Sequence, residues 1–422
     1  MTALRTAVVA VGDELLLGDI VNGNAAWLGE RLAAAGAPVV HSAMVGDDVE
    51  RIATAVRRGL ADADVVLVSG GLGPTSDDVT RSAVAAVAGV PLDRHPALEQ
   101  VLRDRFAAYG RPMPEAVLVQ ADVPRGATAL DNPLGTAPGL RLEVGEQLVF
   151  ALPGPPHELA AVATASVLPE IARRSGSVSL TRTLRCAGAG ESAVAEVVET
   201  TVDLPPGVDL AYLADGAVVR VRLTTVAASE AEADRVLAPL VDRLAAALGT
   251  TVFGRDDDTL PGVVVRRLTE AGQTVAVAES LTGGLLGAAL TELPGSSAAF
   301  RGGVQVYATD VKASLAGVPE HVLAEHGAVS PQTAEALATG VRERLGATWG
   351  VGVTGVAGPD EQEGVAVGTV HLAVAGPEGV RAITVRLPGG RPRVRQLAVT
   401  TALDLLRRQL PPEQPGPASA FR

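Results

Sequence analysis

Two spacings of apolar residues alternate along the chain. Thr6–Val11, Pro38–Val45 and Asp64–Ser69 are short apolar runs that read as strands. Between them, Asn24–Ala35 and Val49–Ala61 carry apolar residues three and four apart, the period of an amphipathic helix. Strand, helix, strand repeated through residues 1–172 predicts a parallel α/β sheet with its working edge at the strand C-termini. Over residues 178–250 the pattern changes to a small α+β module. There Val178–Cys186 and Val218–Thr225 are strand-like, Glu191–Thr200 and Glu230–Leu248 are helical, and the stretch between Asp203 and Asp209 reads as a loop. Turn formers and charge at Gly254–Pro261 mark the next boundary. Beyond it, Thr274–Ala278, Gly303–Tyr307, Trp349–Val353, Gly368–Val374 and Val380–Leu387 read as strands, and Gly283–Glu292, Pro331–Leu345 and Val394–Leu410 as helices. The expected domains are 1–172, 178–250 and 258–410, with a Pro-rich tail at 411–422 expected to be disordered. No internal repeat relates the first and last segments.

Composition narrows the class. The length of 422 residues fits two to four domains at roughly 150 residues each. A hydrophobic content of 47% fills real cores and excludes wholesale disorder. With 35 basic against 48 acidic residues the net charge is −13, which argues against a protein built to hold nucleic acid or an anionic membrane. The single cysteine, Cys186, leaves no intrachain disulfide framework and no Cys-rich zinc site. Nothing resembles a secretory signal, and no apolar run reaches the roughly 18 residues of a membrane span, so a cytoplasmic protein is expected. The basic residues divide into 34 arginines and one lysine, Lys312. A position that stays lysine under such a bias can need a compact amine able to lose its proton, which arginine is not. The alternative is a lysine that survived without a role.

Candidate chemistry sits at strand ends. In the first segment, Val68-Ser-Gly-Gly-Leu-Gly-Pro-Thr-Ser-Asp-Asp78 follows an apolar run with small residues and then two carboxylates. Glycines there let the backbone approach an anionic ligand, and a divalent cation would reconcile Asp77 and Asp78 with a phosphate. The plainer reading is a Gly-rich turn with Asp caps. Gly12-Asp-Glu14, Asp47-Asp48, Asn132–Gly139 and Leu152–Glu158 are further acidic or rigid loops. In the last segment, Ala276-Val-Ala-Glu-Ser280-Leu-Thr-Gly-Gly284 turns from a strand into a helix through Ser, Thr and two Gly. Such a turn can expose a nucleophilic hydroxyl beside backbone N–H groups, although Ser and Thr are also ordinary N-caps. Tyr307 closes the expected strand Gly303–Tyr307 and Lys312 follows, so Ser280, Tyr307 and Lys312 would meet near the ends of neighbouring elements. A serine needs a base, and a desolvated lysine amine can serve as one. His321 and His326 flank a short helix and read as surface or capping residues.

These motifs carry resemblances. Val11–Gly18 with Asn22 and Asn24, Gly70–Asp78, Asn132–Gly139 and Leu152–Glu158 resemble the N-terminal domain of the CinA (competence/damage-inducible) family, which is similar to the molybdopterin-binding fold. The resemblance implies that Glu14, Gly70, Gly71, Gly73 and Asn132 bind a nucleotide or pterin, and that Asp48 and Asp78 take a divalent metal. It further implies either metal-dependent hydrolysis of ADP-ribose to AMP and ribose 5-phosphate, as in several family members, or a catalytically silent nucleotide binder. One departure is Glu115-Ala-Val-Leu-Val119, where the family often carries an Asn before the residue matched by Gln120. Residues 178–250 resemble the KH-like middle domain of longer CinA proteins, but Gly188-Ala-Gly-Glu191 is not the GXXG clamp of RNA-binding KH domains. A spacer or dimerisation element is therefore expected there.

Ala278–Gly284, Pro294–Ser297, Gly302-Gly303, Tyr307 with Lys312, His326–Ser330 and Thr354–Pro359 resemble the CinA C-terminal domain, the nicotinamide mononucleotide (NMN) amidohydrolase family. By that resemblance Ser280 attacks the carboxamide while Lys312 and Tyr307 manage the proton, with no cofactor needed for deamidation. Thr282, Gly283, Gly284, Thr354, Gly355 and Gly358 would hold substrate, and Arg391 and Arg395 its phosphate. Leu281 stands where many members have Cys, and Asp360–Gly368 replaces a commoner Gly-rich stretch and its Lys. The expected fold is thus α/β: a parallel-sheet molybdopterin-binding-like domain, a small KH-like α+β domain and a C-terminal α/β deamidase domain. Small-molecule nucleotides and a second copy of the chain are the expected partners. The rival readings are a non-enzymatic interaction protein that recruits a recombination or competence protein, and a pterin-handling role inferred from fold similarity alone.

Overall fold

A computed structural model describes residues 4–108, 110 and 112–411. The tail expected to be disordered lies, from residue 412 onward, outside the described residues. The chain divides into two compact units, one built on residues up to Thr181 with Thr224–Val236, the other on Arg182–Leu223 with the chain from Leu237 onward.

The first unit follows the order β1 (Thr6–Val11), α1 (Asp13–Leu17), α2 (Gly23–Ala34), β2 (Val39–Val45), α3 (Val49–Asp62), β3 (Val65–Ser69) and α4 (Thr80–Ala88). Then come β4 (Leu92–Arg94), α5 (Pro96–Ala108), β5 (Asp122–Pro124), β6 (Thr128–Leu130), β7 (Gly139–Val144), β8 (Gln147–Leu152), α6 (Pro156–Val162) and α7 (Leu168–Ser175). The main sheet has the order β2-β1-β3-β8-β7-β6, parallel from β2 to β8 and antiparallel thereafter. Its central strands are buried on both faces, which is why they read as unbroken apolar runs rather than as alternations. Val9, Val66, Val68 and Val149 pack one face against α3 and α4, while Val8, Leu67, Phe150 and Leu152 pack the other with Leu28, Leu32 and Ile171.

The middle module comprises β9 (Val178–Ala187), α8 (Glu191–Thr201), β10 (Val208–Asp215), β11 (Val218–Ala227), α9 (Glu230–Leu248) and β12 (Val252–Arg255), with sheet order β10-β11-β9-β12. Two of these strands correct the sequence reading. β10 begins at Val208, inside the expected loop, and β12 takes Gly254 and Arg255 out of the expected boundary. Both are short or half-exposed, so neither leaves a clear apolar signature.

The C-terminal domain continues with α10 (Leu260–Glu270), β13 (Val275–Glu279), α11 (Leu285–Thr291), β14 (Phe300–Gln305), α12 (Thr309–Ala316), α13 (Glu320–His326) and α14 (Pro331–Arg344). It closes with β15 (Trp349–Gly355), β16 (Thr369–Gly376), β17 (Gly379–Arg386) and α15 (Arg391–Arg407). The sheet order is β14-β13-β15-β16-β17, with β13 parallel to β14 and β15 and the last two strands antiparallel. The strand expected at Gly303–Tyr307 ends at Gln305, so Tyr307 lies beyond it. No helix among the described residues is long and apolar enough to cross a membrane.

β15 alternates glycine with valine for a packing reason. Val351 and Val353 enter the core shared with α10, α11 and α15. Gly350 and Gly352 face α14 so closely that a Cβ at Gly352 would stand 2.3 Å from the Ala334 carbonyl, and one at Gly350 2.0 Å from that of Ala338. Those clashes are with helix backbone, which cannot yield by a rotamer change. Gly352→Ala is expected to destabilise the domain by about 1–3 kcal/mol, seen as a lower urea midpoint. An unchanged midpoint would show that α14 has room to move.

Candidate functional site

In the C-terminal domain the carboxyl ends of three neighbouring parallel strands supply the site: β13 delivers Ser280, β14 leads to Tyr307, and β15 ends at Thr354-Gly355. Ser280 is pinned through its N–H, which donates to the Val353 carbonyl at 3.0 Å. The chain then turns through Gly283 and Gly284, whose φ values of 58° and 96° are left-handed and suit glycine. Just before the turn, the buried Glu279 carboxylate accepts the N–H groups of Gly284 and Leu286 at 3.0 Å and of Gly287 at 2.8 Å. The start of α11 therefore already holds an internal anion. Of these amides only that of Gly284 belongs to an expected substrate contact, and it faces Glu279 instead. Among the described residues, the amides of Leu281 and Thr282 donate to nothing, and the buried Thr282 hydroxyl has no partner.

Lys312 reaches this turn from α12. It is 2% exposed, and its Nζ donates to the carbonyls of Val306 at 2.8 Å and Tyr307 at 3.2 Å and lies 3.3 Å from Ser280 Oγ. Burial holds its ammonium below the ordinary value of 10.5, partly offset by the negative charge of Glu363. Glu363 itself accepts the N–H groups of Ala328 at 2.8 Å and Val329 at 3.3 Å.

Ser280 and Lys312 thus come together as expected from the sequence, whereas the Tyr307 side chain turns away. Its ring is 63% exposed, and its hydroxyl accepts from Arg391 Nη2 at 2.7 Å, so what Tyr307 gives Lys312 is its carbonyl. The two arginines expected at a phosphate brace loops: Arg391 also donates to the Gly358 carbonyl, and Arg395 to those of Leu281 at 2.9 Å and Thr282 at 2.8 Å. The Thr354 hydroxyl is likewise engaged, on the Ala328 carbonyl at 2.8 Å. At Gly355 a Cβ would stand 2.5 Å from the Thr369 carbonyl, and Gly358 has a φ of 86° and precedes a cis proline, Pro359.

The first unit builds a second site at the carboxyl ends of β1, β3 and β8. A cavity of about 500 Å³ is lined there by Gly12, Glu14, Gly70, Gly71, Gly73 and Asp47, among others. The loop after β3 is held from both sides. Asp78 accepts the Gly73 N–H at 2.7 Å and the Thr75 N–H at 2.8 Å, while the buried Arg81 donates to the carbonyls of Leu72 at 2.5 Å and Gly73 at 2.6 Å. Asn24 crosses the mouth to Ser69 Oγ and the Gly154 carbonyl. Asn132 lies elsewhere, tying its own loop through the Ala137 carbonyl and Glu158. Asp48 caps α3, accepting the Arg51 N–H, and its neighbour Asp47 lines the cavity instead. Burial pushes the Asp47 carboxyl up, as do the nearby charges of Asp13, Glu14 and Asp77, against a hydrogen bond from the Asp13 N–H. Asp78 has both oxygens on backbone N–H groups and Asp48 caps α3 through one, and no cluster of three or more His, Cys, Asp or Glu suited to a metal occurs among the described residues, so the pair does not fit a shared metal.

Family models match the whole of this arrangement in order: the probable molybdopterin binding domain over residues 7–173, the damage-inducible protein CinA KH domain over 181–254, and the CinA C-terminal domain over 257–410. A CinA-like protein of Frankia casuarinae is 53% identical over 96% of this chain and 96% of its own length. The chain belongs to the CinA family. A CinA-like protein of Parasynechococcus marenigrum is 43% identical over 97% of this chain and 99% of its own. Among solved structures, protein CinA from Thermoplasma acidophilum is 36% identical, with a TM-score of 0.38, covering 40% of this chain and 98% of that one. Competence/damage inducible protein CihA from Agrobacterium tumefaciens is 40% identical, with a TM-score of 0.35, covering 36% of this chain and 94% of that one.

Glu279, Glu363 and Arg81 gained no role from the sequence of this CinA-family chain, and Asp47 entered only as half of an acidic pair. Glu279 left a usable signal, since a carboxylate that ends a buried strand before a helix must find N–H donors. Glu279→Gln is expected to lower stability by about 1–3 kcal/mol in urea unfolding, because a neutral amide replaces the charged acceptor of three N–H groups. Equal stability would show that the charge does not hold the turn.

Proposed function

We propose that the C-terminal domain hydrolyses the carboxamide of NMN to nicotinate mononucleotide and ammonia. One observation carries this reading: the Lys312 amine has two carbonyls and one hydroxyl around it. A carbonyl only accepts, so in the neutral amine the two N–H bonds go to Val306 and Tyr307 and the lone pair is left facing the Ser280 hydroxyl. That is the arrangement of a nucleophile with its base. Ser280 Oγ attacks the carboxamide carbon as its proton passes to Lys312. The Leu281 and Thr282 amides, which donate to nothing else among the described residues, are the donors nearest in the chain for the oxyanion. Collapse breaks the C–N bond, and Lys312 returns the proton to the departing nitrogen, which leaves as ammonia. Water, deprotonated by the same amine, then cleaves the ester to give the carboxylate and restore the serine. The identity of the amide rests on membership of the CinA family and on the resemblance of the motifs around Ser280 to NMN amidohydrolases.

Purified protein is expected to release ammonia from NMN with or without EDTA, and Ser280→Ala or Lys312→Arg to lower turnover by about 10³-fold or more. The rate should rise with pH through a single ionisation below 10.5, because the buried amine loses its proton more readily than a free lysine. Stability should rise over the same window, since the unfolded chain there binds the proton that the folded chain has lost. Full turnover in Lys312→Arg would discard the amine as base, and no turnover in folded wild type would discard the reading.

The N-terminal cavity supports a second reading, binding of an ADP-ribose-type nucleotide. Its volume of about 500 Å³ and its glycine-lined floor suit a phosphate-bearing ligand. Asp78→Asn, which loosens the loop, is expected to weaken ADP-ribose binding about ten-fold by calorimetry while leaving NMN turnover unchanged. Undiminished binding would place the nucleotide elsewhere.

A further inference from the structure

A groove in the second unit has no part in the chemistry above. It has a volume of about 860 Å³ and is lined by residues of β11, β12, α10, α11 and α15. We propose that it is an effector site for a nucleotide-type organic phosphate, which acts on the Ser280 turn through the two helices that hold it.

The lining has the parts such a ligand needs. Arg220 on β11 and Arg393 on α15 point two cationic forks at the groove, and among the described residues neither makes a hydrogen bond or ion pair. An unpartnered guanidinium is the usual receptor for a phosphate. Phe253, Leu260 and Leu285 form an apolar wall against which a flat base can lie. Asp215 and Glu292 add acceptors for sugar hydroxyls. The volume lies within the range of small-molecule sites, which favour the seam between packed elements. With Arg185 included, three guanidiniums face two carboxylates, a cationic recess on a chain whose net charge is −13.

The link to the active site is geometric. On α15, Arg393, Gln396, Thr400 and Leu403 recur three and four residues apart and face the groove. Arg391 and Arg395 lie on another side of the same helix, where they brace Gly358, Leu281 and Thr282. α11 starts at Leu285, itself in the groove wall, directly after the turn that Glu279 organises. A ligand bridging Arg220, Arg393 and Leu285 therefore steadies both supports of the nucleophile without touching it. The binding half of this proposal stands apart from the deamidase reading, whereas the regulatory half rests on it.

AMP added to the full chain tests both halves, with hydrogen exchange of residues 285–292 and 393–403 followed beside ammonia release from NMN. The expected result is saturable protection of both helices and a rise in turnover of about five-fold. In Arg220→Ala, AMP should be needed at about ten-fold higher concentration for the same protection, with basal turnover retained and Arg220→Lys intermediate. No protection, or protection that persists undiminished in Arg220→Ala, overturns the site. Equal protection by inorganic phosphate overturns the nucleotide class. Protection without a change in turnover overturns the coupling alone, and protection in a wild type that releases no ammonia at all overturns the deamidase reading while leaving the site in place.

Discussion

In the C-terminal domain the arrangement around Ser280 depends on keeping one amine out of water. Lys312 sits among apolar packing, with Val306, Ala316 and Leu337 nearby in the core, and its hydrogen-bonding capacity is met by two main-chain carbonyls and one serine. Desolvation disfavours the ammonium, and the carbonyls fix which way the neutral amine faces. Removing the carbonyls would free the amine to turn away, and removing the burial would restore the ordinary preference for the charged form. The exit from β14 and the start of α12 are what hold Val306, Tyr307 and Lys312 in that relation.

The two sites solve the same mechanical problem in the same way. A glycine-bearing turn after a parallel strand has loose amides on one side and loose carbonyls on the other. In the first unit, Asp78 takes the amides of Gly73 and Thr75 while Arg81 takes the carbonyls of Leu72 and Gly73. In the C-terminal domain, Glu279 takes those of Gly284, Leu286 and Gly287 while Arg395 takes the carbonyls of Leu281 and Thr282. One acid and one guanidinium thus fix the main chain of each loop, beside the core anchors Leu72 in one and Leu281 in the other. The desolvation of Arg81, which lowers its affinity for a proton, is the cost of that arrangement.

Much of the architecture was legible because its strands are of the kind that periodicity finds. β1, β3, β13 and β15 are buried on both faces and stand out as apolar runs, and the turns at their ends announce themselves through Gly, Ser and Asp. β10 and β12 were not legible, being half-exposed or only four residues long. At the site, Ser280 and Lys312 could be picked out because a turn motif and a compositional oddity named them separately. The partner of the Tyr307 hydroxyl could not, since Arg391 lies far along the chain and only the fold brings the two within 2.7 Å. Asp47 and Asp48 show the limit most sharply. Adjacent residues of one type differ only in direction, and the one that caps α3 is the one the family resemblance had favoured.

The isolation of Lys312 has a practical side. Because every other side-chain cation of the charged class is an arginine, reagents that acylate or alkylate ε-amines have a single side-chain target in this chain. That target is both nearly inaccessible and held in an amine-favouring environment, so slow modification by a small reagent reports opening of this one pocket. Read on the peptide that carries Lys312, so that the α-amino group does not count, this modification is a clock for the breathing of α12 against the turn that carries the serine.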